Sequence, residues 1–185
     1  MIMSKFFNNQ IYRNNLYFLL TAIMFVFTAL LNVSNKLVFC SFIFVLIAFI
    51  TNFMSELYGK KKTMYAIILC VLVNAAINNI NISITLFGSL LSVVLSTYCS
   101  ISLFLKFESS YSFHIRNFMG LILCSFIDCA IMASFLISKF SASQVLSMFT
   151  KDIAFKFTYS ITISCCLILI FYLSQQFKNL KKAEF

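Results

Sequence analysis

The chain has 185 residues, of which 62% are hydrophobic and only 10% charged, whereas a soluble domain carries about 25% charged residues. A soluble fold of this length would leave large apolar patches in water, so the composition points to an all-α, polytopic membrane protein forming one domain over residues 1–185. The net charge of +9 marks loops beside an anionic inner leaflet. No basic patch with interleaved aromatics lies outside the apolar stretches, which excludes nucleic acid as a direct partner.

A helical span needs about 20 apolar residues, and six stretches qualify in chain order: 16–32, 37–57, 63–80, 82–106, 116–138 and 153–175. A β-barrel would need shorter, alternating segments. Lys5 and Arg13 precede the first stretch, as in a secretory signal. That stretch is long, and no small-residue cleavage site follows it, so it reads as a retained span. No internal repeat is legible.

The loops give the orientation. With the N-terminus inside, the inner set is Lys5, Arg13, Lys60, Lys61, Lys62, Lys106, Arg116, Lys178, Lys181 and Lys182, and the outer set is Lys36, Lys139, Lys151 and Lys156. Ten against four favours both termini in the cytoplasm, in a multi-pass protein of the plasma (inner) membrane.

Polar residues inside such stretches are informative, because a charge in hydrocarbon costs about 2.5–3.5 kcal/mol on insertion scales. Asp128 stands near the middle of the fifth stretch, at a depth where no other carboxylate lies. It reads as a transport residue, or alternatively as a carboxyl bonded to an Asn or a protonated carboxyl with no transport role. Asn52 and Glu56 share one face of a helix end that Gly59 releases and three lysines anchor. Glu56 could pair with Lys60 at i,i+4. Asp152 and Lys156 have the same spacing, and Asp152 at the start of the sixth stretch would also suit a helix cap. Ser34 and Asn35 lie at the mouth between the first two stretches, where a turn would also place them. Asn74, Asn78 and Asn81 form a stripe suited to helix–helix hydrogen bonds. His114 reads as solvated.

The seven cysteines fall mostly in apolar stretches and read as buried thiols. Without CxxC, HExxH, a Walker A sequence or a nucleophile–base arrangement, neither a metal, a cofactor nor an enzyme is expected.

Taken together, Asn32-Val33-Ser34-Asn35-Lys36-Leu37-Val38, the block Phe49 to Lys62, Arg116-Asn117-Phe118, Asp128, and Lys151-Asp152-Ile153-Ala154-Phe155-Lys156 resemble the queuosine precursor transporter family of vitamin uptake transporters. That family has six spans. It shows a Ser-Asn pair after the first, Thr-Asp and then Glu-x-x-Gly-Lys at the end of the second, Arg opening the fifth, Asp within it, and Asp-x-x-x-Lys at the start of the sixth. Asn52 stands where the family has Asp, and the fourth stretch lacks the family's Arg and acidic positions.

The resemblance implies import of a 7-deazaguanine base for tRNA queuosine salvage. It makes Ser34, Asn35, Asn52, Glu56, Arg116, Asp128, Asp152 and Lys156 the binding or translocation residues. Asp128 or Asp152 would accept the base's donor edge, with Asn35 and Asn52 assisting. The expected partners are the base, the lipid bilayer, and either a second copy of the chain or an energy-coupling partner. Two other readings stay open: a substrate-capture subunit of an energy-coupling-factor importer, and a non-transporting membrane scaffold.

Overall fold

The computed structural model describes the backbone of residues 10–34, 36–77 and 84–183, and the side chains of 11–34, 36–77 and 86–173. Asn35, Asn78, Asn81 and the expected turn at 79–81 lie outside the described residues. The described chain is all-helical, with five helices: α1 (Gln10–Val33), α2 (Leu37–Ile77), α3 (Ile84–Lys106), α4 (Phe113–Leu136) and α5 (Ala142–Ala183). All five are long and apolar enough to cross a membrane.

Six separate helices are therefore not what the chain forms. The second and third apolar stretches belong to one element of 41 residues, α2. Unbroken, it would be about 60 Å long, twice the hydrocarbon thickness. It is broken at Gly59, whose φ of 80° and ψ of 164° are non-helical. Residues on either side of this break meet again. Ile50 and Met54 share one core cluster with Ala66, Ile67, Cys70, Met24 and Ile101. A continuous helix would hold Ile50 and Cys70 about 30 Å apart, so the two arms fold back on each other at Gly59. α1 lies along both. The Tyr17 ring meets Tyr58 at 5.1 Å, the Tyr17 hydroxyl donates to the Lys62 carbonyl, and Asn74 donates to Thr28 Oγ1 at 2.7 Å. The helix-to-helix hydrogen bond expected of Asn74 is thus present.

The last helix also departs from expectation. α5 starts at Ala142, eleven residues before the expected span. Its first turn has a recognisable signal: Ser141 precedes it, and the Gln144 side chain accepts from the Ser141 backbone N–H at 3.3 Å, one half of a capping box. Asp152 is consequently well inside the helix and caps nothing.

α2 is the central element and packs against each of the other four. Lipid supplies no hydrophobic force to hold helices together, so close approach of small residues and interhelical hydrogen bonds must do it. α3 and α4 show this at both ends of their contact. A Cβ on Gly88 would lie 2.7 Å from Phe135 Cγ, and one on Gly120 would lie 2.8 Å from Asn52 Nδ2 and 2.9 Å from Ser100 Oγ. Between them α3 turns Ser92, Ser96, Thr97 and Ser100 inward, all buried. The Ser96 and Thr97 hydroxyls bond carbonyls of their own helix, so the stripe is compact without leaving polar groups unpaired. A second core cluster, of Ile43, Phe44, Val45, Ile47, Ala48, Val93, Leu121 and Cys124, fills the half of the bundle away from Gly59.

Candidate functional site

Two polar assemblies sit at opposite ends of the bundle. One lines a cavity of about 820 Å³ at the end where α1 finishes and α2 begins. Ser34, Ser41, Phe44, Asp128, Cys129, Phe149, Asp152 and Lys156 contribute to its wall. Lys156 is the hub. Its ammonium donates to Asp128 Oδ2 on α4 at 2.5 Å and to Asp152 Oδ2 on its own helix at 2.6 Å. It also lies 3.4 Å from Cys129 Sγ and 4.6 Å from the centre of the Phe44 ring.

The second carboxylate is held further. Ser41 donates to Asp152 Oδ1 at 2.6 Å, and the Cys129 thiol donates to Oδ2 at 3.2 Å. Side-chain exposure is only 4% for Lys156, 6% for Asp128 and 14% for Asp152. With all three ionised, this triad carries one net negative charge in a low-dielectric wall. Asp128, Cys129 and Asp152 also place ligand atoms within 4.8 Å of one another, as a metal site would. The Lys156 ammonium reaches all three and supplies the positive charge there.

The other assembly closes the Gly59 end. Arg116 of α4 donates to both oxygens of Glu56 on α2, at 3.3 and 3.1 Å. Its guanidinium lies over the Phe104 ring at 4.5 Å. Phe113 packs edge-on against Phe104 and Phe53. Just beyond, Asn52 Nδ2 donates to Asn117 Oδ1 at 3.1 Å, and Ser100 donates to Asn52 Oδ1 at 3.0 Å. Gly120 allows this contact by its missing Cβ. The region is packed, with Asn52, Ser100 and Asn117 fully buried.

The residues named from sequence therefore split. Ser34, Asp128, Asp152 and Lys156 meet at the cavity. Asn52, Glu56 and Arg116 belong to the closure at the other end and do not line it. Glu56 does not pair with Lys60; Lys60 reaches Ser102 at 2.9 Å and the Tyr98 ring at 3.9 Å. Asp128 bonds a lysine, not an asparagine. Lys156 is a buried helix residue rather than an outer loop charge, and Arg116 is buried too. His114 is half-buried against Phe171, with ring centres 4.4 Å apart. Of the cysteines, Cys70, Cys124 and Cys129 are buried as expected, while Cys165 and Cys166 are exposed on α5. Ser41 and Cys129 were missed from sequence. Only their proximity in space to Asp152 marks them, since Ser41 is 111 residues away along the chain.

No family model, curated protein or solved structure matches this chain.

Proposed function

We propose that the chain is an inner-membrane importer of queuosine precursors, 7-deazaguanine bases, working without catalysis. The observation that carries this reading is the cavity with the Asp128–Lys156–Asp152 triad in its wall. Its volume falls in the range of small-molecule sites. A carboxylate held at one edge by an ammonium can still accept, in bidentate fashion, the adjacent ring N–H and amino donors of a guanine-like base. Phe149 in the cavity wall offers an aromatic ring for a flat base to stack on. Buried ionisable residues facing the interior of a bundle are the usual mark of a transport path.

The fold-back at Gly59 suits six crossings with both termini on one side. Without the buried Arg116 and Lys156, the loop lysines and arginines still stand nine against three for a cytoplasmic Gly59 end. The cavity then faces outward, and the Glu56–Arg116 pair with the Asn52–Ser100–Asn117 bonds shuts the inner side. Import would require that closure to part after the base has bound.

Queuosine in tRNA tests the reading. A strain lacking both precursor synthesis and its own importer, expressing this chain with no energy-coupling module, is supplied with each base in turn. Queuosine should appear with at least one base. Asp128→Asn should cut uptake of labelled base by tenfold or more. Uptake equal to the wild type in that variant would remove Asp128 from the mechanism.

A further inference from the structure

The triad leaves one charge unanswered. Two carboxylates share the Lys156 ammonium, and all three groups sit in the cavity wall with little exposure. Lys151 also lines the cavity, but it is exposed, where water and salt screen its charge. The two carboxylates are not equivalent. Asp152 is fully engaged: Oδ1 accepts from Ser41, and Oδ2 accepts from Lys156 and from the Cys129 thiol. Asp128 accepts from Lys156 through Oδ2 alone. Its Oδ1 has no donor among the described residues, and it is not one of the polar atoms sealed inside the bundle. The wall thus offers an incoming ligand one open carboxylate oxygen and, beside it, a second negative charge whose oxygens are already taken.

We infer that the cavity selects a base that is itself a cation, carrying a protonated amine on a substituent away from its hydrogen-bonding edge. Asp128 accepts from the donor edge of the ring, with Oδ1 as its open oxygen. Asp152 acts through its charge. A ligand ammonium in the cavity then balances the triad, two carboxylates against two ammoniums. In a wall of low dielectric that balance is felt over several ångströms without a further hydrogen bond. A neutral base with the same edge leaves the negative charge uncompensated, and an anionic one adds to it.

This inference rests on the reading of the cavity as a base site, and the test separates the two. The probes are 7-aminomethyl-7-deazaguanine, whose amine is protonated at neutral pH, and 7-hydroxymethyl-7-deazaguanine, nearly the same in shape but neutral. Both present the same donor edge to Asp128. Binding is measured by calorimetry on the purified full chain in nanodiscs of a zwitterionic lipid, so that the membrane surface does not concentrate the cation. The wild type should prefer the amine by about tenfold or more. Asp152→Asn brings the triad to neutrality, and the ratio of the two affinities should fall toward one whatever the variant's overall affinity. Should that variant not fold, the salt dependence of the wild type decides. A preference set by the buried triad should change by about twofold at most between roughly 0.05 and 0.5 M salt, because buried charges are screened little, whereas one set at the exposed surface should collapse. Equal affinity of the wild type for the two bases, a preference that Asp152→Asn leaves intact, or one that salt abolishes overturns the charge selection and leaves the base site standing. A wild type that binds neither base overturns both.

Discussion

The two polar assemblies use similar residues to opposite ends. At the cavity, two carboxylates share one ammonium, so charge is unbalanced and open space lies beside it. At the Gly59 end, the Glu56 carboxylate meets the Arg116 guanidinium, which lies over the Phe104 ring, and Asn52, Ser100 and Asn117 beside them are fully buried. An ion pair packed in this way holds helices in register; carboxylates beside open space have room for a ligand. The difference separates a closure from a binding site more clearly than residue type does.

Breaking each assembly should therefore have different consequences. The largest effect is expected from Lys156→Met. It leaves Asp128 and Asp152 as two buried carboxylates with no cation, and removing one partner of a buried pair costs about 3–5 kcal/mol. Thermal unfolding in detergent should show a large fall in Tm, and uptake should vanish; an unchanged Tm would mean the triad is not ionised as described.

Glu56→Gln comes next. Arg116 then loses a charged hydrogen-bond acceptor, at a cost of about 1.5–3 kcal/mol, and the closure should leak. In inside-out vesicles, a membrane-impermeant maleimide should label Cys40, which also lines the cavity, several-fold faster than in the wild type, read on the Cys40 peptide by mass spectrometry. Equal labelling would show that the pair does not close the path.

Gly120→Ala drives a methyl group into Asn52 and Ser100, and such overpacking costs about 1–3 kcal/mol. It should lower Tm without altering base selectivity. Gly59→Ala should cost a similar amount, about 1–3 kcal/mol, entirely as backbone strain, because nothing lies near the added Cβ while φ 80° with ψ 164° is a conformation that essentially only glycine adopts. A Tm equal to the wild type would argue that the fold-back at Gly59 is relaxed.

Much of this was legible along the chain. Apolar length gives helices, and Asp128 stands out because hydrocarbon surrounds it. The i,i+4 spacing of Asp152 and Lys156 predicts their contact, which the structure has. Gly59 reads correctly as a point of helix release, though not as a break inside one element. What was not legible depends on which helices become neighbours. Glu56 has Lys60 at the ideal local spacing, yet it pairs with Arg116, 60 residues on. Lys60 instead turns to a tyrosine ring and a serine of α3. Ser141 and Gln144 mark the start of α5 by capping, eleven residues before the apolar stretch that hydropathy picks out. Asn52, placed by its family position beside the substrate, packs into the closure, where Gly120 leaves room for its amide.

The triad's connectivity has a mechanical corollary. Lys156 is tied to Asp152 through its own helix and to Asp128 across to α4. In the proposed transport cycle, any shift of α4 past α5 would carry the first bond along with its helix and stretch only the second. The ammonium would keep a carboxylate partner throughout, and Asp128 would be the carboxylate released to a new partner.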